Sequence, residues 1–213
     1  MASSRSPFRW ATFAESGALS APHVDIDGLG TYITIAQGEI LFPWCDSMND
    51  AETEQWQKQD LLNALENHDW NCTVMEAGQS VVFPAGTPHA VIRNPGDSPT
   101  LSFGGHFLHL QQLPRFASLC RRQLENPSSA ALNEDPESTV WVYLLLAAKH
   151  VLRARAAAKE DWARIFGGKE NVAQFFQVLK SIDAGLAEAR IKTQKPFEFR
   201  GGNKRGLGRS ARK

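Results

Sequence analysis

The sequence predicts a mainly β protein with added helix, a small barrel or jelly roll followed by a helical cap. Three observations carry that expectation. In residues 7–42, Tyr32, Ile33, Thr34, Ile35, Ile40, Leu41 and Phe42 supply strand-forming residues, and Gly28, Gly30 and Gly38 interrupt them. The later stretch CTVMEAGQSVVFPAGTPHAVIRNPGDSPTLSFGGHFLHL has the same texture, cut by the turn signals Ala77-Gly78, Ala85-Gly86 and Pro95-Gly96-Asp97. Beyond Pro114 the apolar period lengthens to that of helices.

Phe8 and Trp10 open the strand region. At 46–71 the composition turns polar, with Leu61, Leu62 and Leu65 at helical spacing, which predicts a surface helical insertion. Helices are expected over 115–125, over 138–160 with Val142, Leu145, Leu146, Lys149 and Leu152 on one face, and over 159–190 with a break at Gly167-Gly168. The organisation expected is a barrel over 1–113, a helical region over 114–190 and a tail over 191–213.

A chain of 213 residues fits one domain with an appendage. Lys and Arg number 23 and Asp and Glu 23, so no net field steers the molecule toward nucleic acid or acidic partners. The tail alone departs from balance, with eight Lys/Arg against Glu198. It is expected to be disordered, and two uses stand open for it: solubility, or a nuclear-import or nucleic-acid contact. Cys45, Cys72 and Cys120 form no CxxC pair, which points to a reducing compartment. The first residues carry no apolar signal core and VWVYLLLAA at 140–148 is too short to span a bilayer, so the expectation is a soluble, intracellular protein.

The chemistry-bearing residues begin with SAPHVD at 20–25. Residues two apart on a strand point the same way, so His23 and Asp25 can present an imidazole and a carboxylate to one point. His89, after a Gly-x-Pro turn on an apolar strand, is the candidate third ligand. Two His and one carboxylate on one face of a metal, with open positions opposite, is the arrangement of non-haem Fe(II) oxygenases.

HVDIDGLGTYITIAQGEILF at 23–42 and EAGQSVVFPAGTPHAVIRNPGDSPTLSFGGHFLH at 76–109 resemble the Jumonji C (JmjC) oxygenases, and most of all the F-box- and PHD-associated lysine demethylases among them. The resemblance covers about residues 8–115 and implies a cupin-like double-stranded β-helix. It also implies Fe(II) held by His23, Asp25 and His89, 2-oxoglutarate as co-substrate, and hydroxylation or demethylation of a protein such as a histone tail, in the nucleus. No catalytic residue beyond the metal ligands is implied. Ser20 stands where the family places a hydroxyl that touches 2-oxoglutarate, and Tyr32 and Thr34 stand on the strand whose polar residues line the co-substrate pocket in relatives. The helices that follow the barrel form a cover or a homodimer interface in that subgroup.

The chain departs from the family at Ile40, where a Lys pairs with the distal carboxylate of 2-oxoglutarate; no Lys or Arg occurs between Arg9 and Lys58. Arg93 shares strand parity with His89 and offers a guanidinium for that carboxylate. The other reading of Arg93 is a solvated residue at the rim of the NPGD turn. Without such a partner the fold implies either a binding or scaffold module, or a cupin metal oxidase that does not use 2-oxoglutarate. The short lead-in before His23 raises the further expectation that the barrel lacks an outer strand or its substrate-shaping elements, as in a truncated or degenerate member of the family. His106 and His109 are expected to be structural, Asp27 a turn residue, Trp56 and Trp70 packing residues of the insertion, and the cysteines unreactive.

Overall fold

The structure is a computed structural model that describes residues 8–182 apart from 26, 47, 50, 54–67, 96–97, 126–139 and 158–162. Eight strands fill its first half: β1 (Arg9–Ala14), β2 (Leu19–His23), β3 (Gly30–Gln37), β4 (Glu39–Trp44), β5 (Asn71–Glu76), β6 (Ser80–Phe83), β7 (His89–Ile92) and β8 (Thr100–Phe107). They form two antiparallel four-stranded sheets, ordered β1-β8-β3-β6 and β2-β7-β4-β5. That order is the jelly-roll order of cupin-type barrels, in which the chain passes back and forth between two facing sheets. Eight strands are present among the described residues.

Alternation builds the interior. In β3 the odd members Thr31, Ile33 and Ile35 are buried, and in β4 Ile40 and Phe42. Ile33, Ile35, Ile40, Phe42, Met75 and Phe83 fill one part of the space between the sheets. Burying such side chains contributes roughly 1.5–3 kcal/mol each.

The Gly104-Gly105 pair on β8 is explained by its neighbours across the ladder. Gly104 pairs with Trp10 and Gly105 with Tyr32. A Cβ on Gly104 would collide with the indole of Trp10 on the inner face, and one on Gly105 would collide with the Phe8 carbonyl oxygen on the outer face. The two glycines leave room for an aromatic ring against the sheet on each side.

Among the described residues three helices follow: α1 (Leu113–Glu125), α2 (Val140–Ala157) and α3 (Lys169–Ser181), with a 3-10 turn at Ala163–Phe166 before Gly167-Gly168. Phe116, Trp141, Val142, Leu145, Leu152 and Phe175 make their core, with Leu29 of the barrel included in it. The expected stripe of α2 holds at Val142, Leu145 and Leu152, but Leu146 is 40% exposed. At about 3.6 residues per turn, 145 and 146 lie over a quarter-turn apart, and Trp141 completes the buried face instead. No helix among the described residues is long and apolar enough to cross a membrane. Most of the insertion expected at 46–71, with Trp56, and the whole tail at 191–213 lie outside the described residues.

Gly104→Ala is expected to cost about 1–3 kcal/mol, the range for overpacking a filled interior. A urea melt of the full chain with an unchanged m-value measures it.

Candidate metal centre

β2 and β7 are antiparallel neighbours, and the ladder sets His23 directly opposite His89. Ser20 is paired with Val91, so three steps along β2 match two along β7: a β-bulge of one extra residue separates Ser20 from His23. A regular strand would turn residues three apart to opposite faces. The bulge brings both Ser20 and His23 to the interior, where they line one cavity.

His23, Asp25 and His89 converge, with one ligand atom of each lying within 4.8 Å of the others. Nε2 of His23 is 3.6 Å and Nε2 of His89 3.9 Å from Asp25 Oδ1. Nδ1 of His23 donates to the Ala21 carbonyl at 2.6 Å, and Nδ1 of His89 donates to the Thr87 carbonyl at 3.0 Å. A carbonyl only accepts, so each ring carries its proton on Nδ1 and offers the Nε2 lone pair toward Asp25. This is the outer-shell arrangement that fixes tautomer and orientation in metal-ligating histidines. Metal–ligand bonds of roughly 2.0–2.2 Å need only a small contraction of the set. The residues fit a metal ion.

The electrostatics fit as well. Burial opposes ionisation of Asp25, yet the His23 and His89 rings, the Thr31 hydroxyl and the His106 ring around it together outweigh that cost, so the carboxyl is held well below the usual carboxylate range. Burial lowers the pKa of His89 against the opposing pull of Asp25, which favours the neutral, ligating imidazole. Phe83 and Phe42 pack beside the His89 ring, at centroid distances of 4.5 and 5.7 Å.

The triad lines a cavity of about 210 Å³ between the two sheets. Its far wall carries Arg93, which is 5% exposed and so is not a solvated rim residue. Nη1 of Arg93 donates to Ser20 Oγ at 3.1 Å, Nε is buried without a partner, and no carboxylate among the described residues pairs with the guanidinium. Burial alone pushes its pKa down, the signature of a cation held away from water without a counter-ion. Ile40, where the resemblance expects a Lys, is an apolar wall of the same cavity.

The structure therefore brings together His23, Asp25, His89, Ser20 and Arg93. It does not bring in Tyr32 and Thr34. The buried members of β3 are Thr31, Ile33 and Ile35, so Tyr32 and Thr34 face outward, with Tyr32 lying against Gly105 and the Thr34 hydroxyl bonded to Ser80 Oγ at 2.7 Å. The two apolar residues at 33 and 35 carried the signal that odd positions point inward. Sequence reasoning missed Thr31, Trp10, Thr12 and Ser102, and it placed His106 among structural residues, yet all five line the cavity. His109 is exposed, and Asp27 occupies a turn with a positive φ of 63°.

No protein-family model and no curated protein matches the chain. Solved structures give weak likenesses. The Drosophila melanogaster CENP-C cupin domain is 6% identical over 50% of this chain and 65% of that one, with a TM-score of 0.36. Hydroxypropylphosphonic acid epoxidase from S. wedmorenis, in complex with fosfomycin, is 13% identical over 46% of this chain and 42% of that one, with a TM-score of 0.30. TT1209 from Thermus thermophilus is 18% identical over 48% of this chain and 76% of that one, with a TM-score of 0.32. The likeness spans less than two thirds of the first two proteins and adds nothing to what the strand order already shows.

Fe(II) or Co(II) at a hundred times its Kd is expected to stabilise the chain by about 2.7 kcal/mol. His23→Ala, Asp25→Ala and His89→Ala are each expected to abolish that increment, read as the metal-induced shift in Tm.

Proposed function

We propose that this protein is a mononuclear Fe(II)- and 2-oxoglutarate-dependent oxygenase of the Jumonji C type. In this reading it oxidises a C–H bond of a protein side chain in the nucleus, with N-methyl-lysine in a histone tail as the substrate that the motif resemblance favours. The observation that carries the co-substrate assignment is Arg93: a buried guanidinium with no anionic partner among the described residues, in the same cavity as the His-Asp-His set.

Each residue has a part. His23, Asp25 and His89 would hold the metal beside the cavity that they line. When bound, Fe(II) supplies oxidation by dioxygen; binding, orientation and exclusion of water belong to the protein. Arg93 takes the distal carboxylate of the 2-oxo acid through its fork of N–H donors, and Ser20, which already holds Nη1, orients that fork. Ile33, Ile40 and Val91 wall the cavity and keep it dry, which strengthens the charge pair. In this reading the cation that the family places on β4 is supplied by Arg93, one residue beyond the end of β7.

The test is anaerobic loading with Fe(II) and 2-oxoglutarate, read by the visible metal-to-ligand charge-transfer band. The wild-type chain is expected to show the band. Arg93→Ala is expected to keep iron but lose about 2–5 kcal/mol of co-substrate binding, roughly 30-fold to several thousand-fold in Kd. A wild-type chain that retains iron and gives no band overturns the 2-oxoglutarate assignment in favour of a cupin oxidase, for which Ile40 is an ordinary apolar wall.

A further inference from the structure

We propose that His106 is a positioning residue for the metal centre: acting through Thr31, it fixes Asp25 so that Oδ1 alone is presented to the metal. The inference rests on the metal-site reading above and adds two residues to it.

The two oxygens of Asp25 are already divided. Oδ1 faces Nε2 of both histidines, while Oδ2 accepts a hydrogen bond from the Thr31 hydroxyl. Thr31 Oγ1 also lies 2.9 Å from His106 Nδ1. A hydroxyl has one proton, and an ionised carboxylate can only accept, so the Thr31 proton goes to Asp25. The Thr31 oxygen then accepts from His106 Nδ1–H. The direction of the whole chain, from His106 to Thr31 to Asp25, is set by the carboxylate at its end.

Rigid structure holds this chain. Thr31 and His106 are cross-strand partners in the β3–β8 ladder, and Thr31 is 1% exposed. Asp25 lies past the end of β2, where no ladder orients its side chain. The Thr31–His106 pair supplies that orientation from the opposite sheet. With Oδ2 engaged, Asp25 would offer the metal a single atom. Outer-shell partners of this kind typically govern metal affinity by about 10–100-fold.

The test titrates the full chain with Co(II), read by its visible ligand-field spectrum, alongside Thr31→Val, Thr31→Ser, His106→Ala and His106→Asn. Thr31→Val and His106→Ala are expected to weaken Co(II) about 10–100-fold and to change the spectrum, as the carboxylate is freed to offer both oxygens. Thr31→Ser keeps the hydroxyl, and His106→Asn keeps a donor near the position of Nδ1, so both are expected to restore the wild-type spectrum. A contact that only satisfied buried polar atoms would move Tm and leave the spectrum unchanged. If Thr31→Val does not fold, the His106 pair decides the question. Wild-type affinity and spectrum in a folded His106→Ala overturn this proposal and leave the metal site standing. A wild-type chain that binds no Co(II) overturns both.

Discussion

The β2–β7 ladder is the constraint on which the rest of this structure depends. It joins two segments far apart in sequence and places His23 directly across from His89, with the two rings tilted to each other and their centroids 4.3 Å apart. Asp25 follows from the two-residue step beyond His23, and Ser20 is drawn into the same cavity by the bulge between them. Arg93 continues the parity of His89 just past the end of β7, and its backbone N–H, bonded to the Ala18 carbonyl at 3.1 Å, extends the pairing that brings it to Ser20. One antiparallel pair with one extra residue therefore sets both ends of the candidate site. A register slip of one residue would turn these side chains outward, because strand side chains alternate.

The ligand-bearing segments end in loops, and loops need tethers if a site is to hold its shape. α1 supplies them at both places. Arg115 Nε donates to the Ala85 carbonyl at 2.6 Å, in the turn that leads into His89. The Gln123 side chain accepts from the Asp27 backbone N–H at 2.9 Å, just beyond Asp25. Gly28 lies so close to the Phe116 carbonyl oxygen that a Cβ there would stand 2.8 Å from it, at a positive φ of 62° that itself favours glycine. The helical cap is thus joined to the chemistry by specific contacts as well as by its apolar core.

The cavity stores cost as well as shape. Three ligand groups stripped of water and a guanidinium with a single hydroxyl partner are each unfavourable in the unliganded protein. The same groups have complementary needs, the ligand set for a cation and Arg93 for an anion. Buried polar groups that the fold itself does not satisfy are where binding energy is held in reserve. Ile40 closes the apolar wall of the cavity, and the cation of the site stands just beyond the end of the neighbouring strand β7, at Arg93.

Much of this was legible in the sequence. The alternation of short apolar runs with Gly-rich turns determined a β barrel, the change of period after Pro114 determined the helices, and His-x-Asp with a later Pro-His determined the ligand types. Parity on a single strand was also there to be read: Arg93 follows from His89 by counting in twos, and Thr31 follows from Ile33 and Ile35. What only the tertiary structure decided depends on pairing between strands. The bulge that makes Ser20 an interior residue exists only against β7. His106 and Thr31 meet only because β8 lies beside β3, and Gly104-Gly105 makes sense only beneath Trp10 and Tyr32. Local pattern fixes which side chains share a face; it carries no record of which strand lies alongside, and this site is assembled from side chains that meet only between strands.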